Sequence, residues 1–147
     1  MKILTTLAIV LLAALPAHAA ERGAKVNFVL KCAGCHLNDG TGMPASGIPD
    51  FVGKVGVFAA VPEGRAYLLH VPGVIGSSLS DAQIADVLNY IMDTWAGESL
   101  PADYVPFDAA EVRDLRLQDI GNAVKYRRVV VEKLEAMGLS AADYPWP

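Results

Sequence analysis

Two cysteines and a histidine stand close together in Cys32-Ala33-Gly34-Cys35-His36. Thiols three residues apart lie on one turn of a helix, so both can form thioether bonds to the two vinyl groups of one haem. The histidine directly after the second cysteine can then present its imidazole to the iron as the proximal axial ligand. The pattern predicts one covalently attached haem c, held by Cys32 and Cys35 and ligated by His36.

Two other interpretations use only part of this pattern. A bare C-x-x-C is also the motif of a thioredoxin-like dithiol, and it can form half of a zinc site. The chain has 2 cysteines in all, so no second pair completes a zinc site. The histidine that follows the second cysteine favours haem over both alternatives.

The N-terminus has the pattern of a secretory signal peptide. Lys2 precedes an apolar run at residues 3–15, Pro16 ends the run, and residues 17–19 match an A-x-A cleavage site. The run is about 13 residues long, shorter than the roughly 20 needed to span a bilayer. We therefore predict a signal peptide over residues 1–19, a periplasmic mature protein and no membrane span after cleavage. An uncleaved N-terminal anchor is the alternative.

The mature chain is acidic. The full sequence carries a net charge of −4, and removal of Lys2 with the signal peptide leaves 11 basic against 16 acidic residues. A negative surface disfavours binding to nucleic acid or to anionic membranes. The charge predicts a redox partner with a basic face, and an exchange rate that salt lowers.

Hydrophobic periodicity predicts a mostly helical chain, because no alternating segment of useful length stands out. Helices are predicted at residues 24–31, 62–70, 80–96 and 118–137, with a further one that begins after Asp108. Gly- and Pro-rich loops or linkers are predicted at residues 38–56, 71–78 and 101–106. Ser80 and Gln83 form a capping box, Gly97 is a stop signal, and Arg127 falls among the polar positions of the last helix. The domain prediction is a haem domain at residues 20–97 followed by a helical extension at residues 98–147.

Over about residues 20–96 the chain resembles the class I monohaem cytochromes c. The shared features come in family order: Phe28 before the first cysteine, a Gly-rich turn at residues 39–42, a P-x-[LF]-x-G pattern at residues 49–53, and a Leu-Ser-Asp start of the last helix at residues 79–81. The resemblance implies an all-α cytochrome c fold wrapped around one covalent haem. It also implies that the Pro49 carbonyl orients His36 by accepting a hydrogen bond from its Nδ1–H.

The sixth iron ligand departs from the family pattern. Most members place a methionine shortly before the Leu-Ser-Asp sequence, whereas residues 69–73 here contain none. His70 stands close to that position and is the favoured distal ligand. The alternatives are Met43 in the Gly-rich loop, Met92 on the predicted helix of residues 80–96, or an iron without a protein ligand at this position. A histidine that is merely hydrogen-bonded at a helix end is the competing interpretation of His70.

Two functions follow from these alternatives. A fully ligated haem would make the protein an electron carrier, rather than an enzyme, between a periplasmic dehydrogenase and an oxidase or another cytochrome. An open sixth position would instead suit a peroxidase or a sensor of small ligands, with His70 as acid or base.

Overall fold

The computed structural model describes residues 22–145; the predicted signal peptide lies outside them. The α-helices of this part of the chain are α1 Ala24–Lys31, α2 Ala33–His36, α3 Pro62–His70, α4 Pro72–Ile75, α5 Asp81–Ile91, α6 Ala109–Arg116 and α7 Ala123–Ala136. Short 3₁₀ segments lie at Pro44–Ser46, Val55–Ala60 and Gly97–Ser99, and a π-helical turn lies at Met92–Ala96. The described residues contain no strand, only one isolated bridge between Met43 and Ile48. The all-α prediction is confirmed.

Helices α1 and α5 pack against each other and form one wall of the core. Phe28 of α1 is 1% exposed. Its ring lies 5.7 Å from that of Tyr90 and 4.7 Å from that of Trp95. These aromatic contacts fix the helix that leads into the Cys32–His36 segment.

The start of α5 follows from its sequence. The Ser80 side chain accepts a hydrogen bond from the Gln83 amide, and the Gln83 side chain accepts one from the Ser80 amide, which confirms the capping box. The end differs from the prediction, because the helix changes to a π turn after Ile91. The amide of Gly53, which lies outside the helix, donates a hydrogen bond to the Trp95 carbonyl at 2.8 Å. Gly97, with φ +53°, ends the turn.

The chain beyond Gly97 packs on the haem-domain helices. Helices α6 and α7 contact α3, and α6 also contacts α5. Val112, Val130 and Leu134 are at most 1% exposed and share one hydrophobic core with Leu69 of α3. The division at residues 97 and 98 remains a prediction.

Two element predictions need correction. The predicted loop at residues 71–78 contains α4, because Pro72 at its first position has the φ of a helix and lacks an N–H that would need a partner. The predicted helix at residues 118–137 begins only at Ala123. Gly121 has φ +65°, and the Asn122 side chain caps the helix by accepting from the Lys125 amide at 3.0 Å. Within residues 22–145, no helix is both long and apolar enough to cross a membrane.

Candidate haem-attachment site

The two thiols lie on one helical turn. The Cys32 amide donates to the Phe28 carbonyl at 2.8 Å, which continues the path of α1. The amides of Cys35 and His36 donate to the Cys32 carbonyl at 3.1 and 2.9 Å. The two cysteines do not form a disulfide with each other; Cys35 is exposed and Cys32 is half-buried. Burial, with a smaller effect of Cys35, raises the pKa of Cys32 to about 11.

His36 projects from the same turn and is half-buried. Burial lowers the pKa of His36 to about 4, while the Pro49 carbonyl acts in the opposite direction. Nδ1 itself is buried and has no hydrogen-bond partner among the described residues. A neutral imidazole whose Nδ1 faces a backbone carbonyl is the form that ligates a metal through Nε2. The residues present therefore fit a haem iron, and the orienting role of Pro49 remains a prediction.

Phe51 is a site residue that the analysis of single motifs did not assign. Its ring stacks on the His36 ring, with centroids 4.0 Å apart and an interplanar angle of 16°. The Phe51 amide donates to the Gly40 carbonyl at 2.9 Å, which holds the residue against the Gly-rich turn. The sequence signal that could have identified Phe51 is its position as the [LF] residue of the P-x-[LF]-x-G pattern at residues 49–53.

The Gly-rich turn folds back tightly on the histidine segment. The Gly42 amide donates to the His36 carbonyl at 3.1 Å. A Cβ on Gly42 would lie 2.6 Å from the carbonyl oxygens of Ile48 and Pro49, and its φ is +63°. Glycine is therefore required here both by the left-handed backbone and by the lack of space.

His70 lies at the end of α3 and connects it to the extension. Its Nδ1 is 2.8 Å from the Ala66 carbonyl oxygen, and its Nε2 is 2.9 Å from that of Gln118. Because a carbonyl oxygen only accepts, both hydrogen bonds form together only when both ring nitrogens carry protons. Coordination of iron through Nε2 would require the Gln118 contact to open. His70 therefore remains a predicted distal ligand, and this role requires that its Nε2 leave the Gln118 carbonyl.

The two alternative methionines occupy different environments. Met43 is 39% exposed and pairs with Ile48 beside the Gly-rich turn. Met92 is 1% exposed within the hydrophobic core, as expected for a packing residue. No cluster of three or more His, Cys, Asp or Glu side chains within residues 22–145 is arranged to hold a metal ion.

A helical chain that folds around a C-x-x-C-H turn defines the class of c-type cytochromes. The chain is 34% identical over 134 residues to a cytochrome c-552 of Thermus thermophilus, a match that covers 79% of this chain and 88% of the relative. A second Thermus thermophilus cytochrome c-552 is 34% identical over 116 residues, covering 67% of this chain and 86% of that protein. No family model matches the sequence. The chain belongs to the monohaem c-type cytochromes; it carries electrons, and its cofactor is covalently attached haem c.

A third relative is a subunit of a larger enzyme. The cytochrome c subunit of a quinone alcohol dehydrogenase from Gluconacetobacter polyoxogenes is 31% identical over 102 residues. The match covers 59% of this chain but only 21% of that subunit. The similarity therefore extends to the cytochrome c subunit of a dehydrogenase.

Proposed function

We propose that this protein passes single electrons from a periplasmic dehydrogenase to a downstream oxidase or cytochrome. The observation that carries the proposal is the placement of Cys32, Cys35 and His36 on one helical turn, with the buried Nδ1 of His36 facing the Pro49 carbonyl. Haem, when bound, supplies an iron that cycles between Fe(III) and Fe(II). Similarity to the cytochrome subunit of a quinone alcohol dehydrogenase supports a dehydrogenase as the electron donor.

In this proposal each residue at the site has a separate task. The thiols of Cys32 and Cys35 would hold the haem by adding across its two vinyl groups as thioethers, and Nε2 of His36 would ligate the iron. The Pro49 carbonyl would accept a hydrogen bond from Nδ1–H and so fix the orientation of the ring. Phe51, stacked at 4.0 Å, covers one face of His36 and limits its rotation. The signal peptide at residues 1–19 would deliver the chain to the compartment in which covalent attachment takes place.

Covalent attachment is tested by acid–acetone extraction of the purified holoprotein. The haem should stay with the polypeptide, and its denatured spectrum should be that of a haem with two saturated vinyl groups. Cys35→Ala should leave one thioether and lower the yield of holoprotein. Met92→Leu, a volume-conserving change in the core, is the matched control and should retain both bonds. Release of haem from the wild type into the organic phase would disprove the proposal.

His70 remains the proposed distal ligand, with Met43 as the alternative. If His70 binds the iron, the ferric wild type should be six-coordinate and low-spin, and His70→Ala should convert it to high-spin. Met43→Leu should then leave the spectrum unchanged. A spin change in Met43→Leu but not in His70→Ala would reassign the ligand to Met43.

One observation favours a second candidate function. Both ring nitrogens of His70 already lie within hydrogen-bond distance of backbone carbonyls, which supports an open sixth position and a role as peroxidase or small-ligand sensor. In that case the ferric wild type should be high-spin, and the ferrous protein should bind carbon monoxide without a slow preceding step. Robust peroxide turnover would support this candidate over electron transfer.

A further inference from the structure

Arg127 of α7 is a buried positive charge without a carboxylate partner among residues 22–145. Its side chain belongs to a residue that is 6% exposed, and the salt bridges of the described residues do not include it. Arg65 of α3, by contrast, donates to both carboxylate oxygens of Glu111 at 2.6 and 2.5 Å. A buried charge is costly unless an opposite charge and hydrogen bonds compensate it. Arg127 therefore needs an acidic group from another source.

The neighbours of Arg127 do not neutralise its charge. Nη2 donates to the Ala142 carbonyl at 2.5 Å, and the guanidinium carbon lies 4.5 Å from the centre of the Tyr144 ring and 5.7 Å from that of Phe58. The phenol of Tyr67 is a further polar neighbour. Nε is buried and has no hydrogen-bond partner among the described residues. Because a guanidinium has five N–H donors and no acceptor, donors remain for an anion.

One neighbour of Arg127 belongs to the segment that continues from the ring stacked on His36. Phe58 lies in the 3₁₀ segment Val55–Ala60. The first amide of that segment donates to the Phe51 carbonyl at 3.1 Å, and the Phe51 ring stacks on His36 with centroids 4.0 Å apart. The guanidinium therefore packs on the part of the chain that leads away from the predicted iron ligand.

Another neighbour faces the loop that follows the iron ligand. Tyr144 lines a cavity of about 220 Å³ together with Pro44 and Ala45, which belong to the loop between His36 and Pro49. A haem carries two propionate carboxylates, on the edge opposite its vinyl groups. The cofactor therefore supplies the kind of anion that Arg127 lacks.

We propose that Arg127 binds a haem propionate, so that the extension contributes a buried positive charge to the cofactor site. The propionate accepts hydrogen bonds from Nε–H and from a second N–H of the guanidinium, in the two-pronged geometry usual for arginine and carboxylates. This inference rests on the haem attachment proposed above. It assigns a cofactor-positioning residue to a helix beyond residues 20–96, the range over which the chain resembles the class I cytochromes. A positive charge beside the cofactor stabilises Fe(II) relative to Fe(III) and raises the potential.

The effect of the charge is measured as the midpoint potential of the holoprotein. Arg127→Gln should favour Fe(III) about tenfold, which for one electron lowers the potential by about 59 mV. Arg127→Lys keeps the charge and should shift the equilibrium less than about threefold. Arg128→Gln is the matched control, because Arg128 is exposed at the next position of α7, and its screened charge should shift the equilibrium less than about twofold. Equal shifts in the two glutamine variants would overturn the inference.

Contact with the propionate is measured in the wild type. Growth with 5-aminolevulinate carrying ¹³C in its carboxyl group labels the haem propionates, and ¹⁵N-arginine labels the guanidinium groups. Rotational-echo double-resonance NMR should then show a ¹³C–¹⁵N coupling that corresponds to a contact within about 4 Å. The coupling should be lost in Arg127→Lys and kept in Arg128→Lys. Absence of the coupling in the wild type, or its survival in Arg127→Lys, would overturn the inference, and the wild-type result holds even where a variant does not fold.

A purely structural role of Arg127 has a different outcome. In that case Arg127→Gln would lower the free energy of unfolding, because the contacts with Ala142 and Tyr144 are lost, but the potential would stay at its wild-type value. That result would overturn the inference and leave the haem attachment intact. A wild type without covalent haem would instead reject the proposed attachment.

Discussion

Arg65 of α3 connects the haem domain to the extension, and its removal gives a quantitative test of that connection. Its guanidinium donates from Nε and Nη2 to the two carboxylate oxygens of Glu111 on α6, at 2.6 and 2.5 Å. It also lies 3.9 Å from the centre of the Phe107 ring. The side chains of Arg65 and Glu111 are 13% and 31% exposed, so water screens the pair only in part.

We expect Arg65→Ala to lower the free energy of unfolding by about 3 kcal/mol. Loss of one partner of a buried ion pair costs about 3–5 kcal/mol, and a lost cation–π contact about 1–2 kcal/mol. Because Arg65 and Glu111 are 13% and 31% exposed, water weakens both contributions, and the expected cost lies below their sum of about 4–7 kcal/mol. Arg65→Lys keeps the charge but not the two-pronged geometry, and should cost about 1–2 kcal/mol.

The measurement is denaturant unfolding of the holoprotein, followed both by haem absorbance and by far-ultraviolet circular dichroism. Because the extension and the haem domain share one core, the two signals should change together in the wild type. Arg113→Ala is the control, because Arg113 lies on α6, the helix that carries Glu111. Its ion pair with Asp114 is 60% and 67% exposed and should contribute less than about 1 kcal/mol. A cost below about 1 kcal/mol for Arg65→Ala would refute the reasoning.

Three further predictions concern close packing at Gly64, the pH dependence of stability and the hydrogen bonds of Asn89. Gly64→Ala should lower the free energy of unfolding by more than about 2 kcal/mol, because the added Cβ would lie 2.1 Å from the Phe58 carbonyl oxygen. Gly73→Ala is the control and should be nearly neutral, because the space around Gly73 is open. Thermal unfolding of the two variants compares the effects. Burial raises the pKa of Tyr67 from 10 to about 12. The contribution of the neutral phenol to the free energy of unfolding is therefore complete below pH 10 and is lost as the pH rises to about 12. Tyr67→Phe should remove up to about 2.7 kcal/mol of this loss of stability when unfolding is measured as a function of pH, and an unchanged pH dependence would contradict the prediction. The Asn89 side chain makes three hydrogen bonds to residues 104–107, and Asn89→Ala should cost about 2–3 kcal/mol in denaturant unfolding, with a loss under about 0.5 kcal/mol as the contrary result.

Local sequence predicted the helices whose signals lie within a few residues. The capping box at Ser80, the helix start after Asp108 and the span of α3 depend on neighbouring side chains and backbone groups. The helix of residues 118–137 was predicted too early, because apolar spacing continues through Gly121 and does not show that this residue takes a positive φ. Arg127 reads as a polar surface position, yet it is 6% exposed, donates to the Ala142 carbonyl and lies 4.5 Å from the Tyr144 ring centre.

The sequence by itself determined the cofactor chemistry, because Cys32, Cys35 and His36 are neighbours in the chain and need only one helical turn to converge. Only the tertiary structure decided which distant groups meet. It brought Phe51 onto His36, Glu111 onto Arg65, and the Gln118 carbonyl onto His70. The last contact joins residues 48 positions apart. Packing of the extension on α3 produces this contact, and a local sequence pattern does not predict contacts between residues so far apart in the chain.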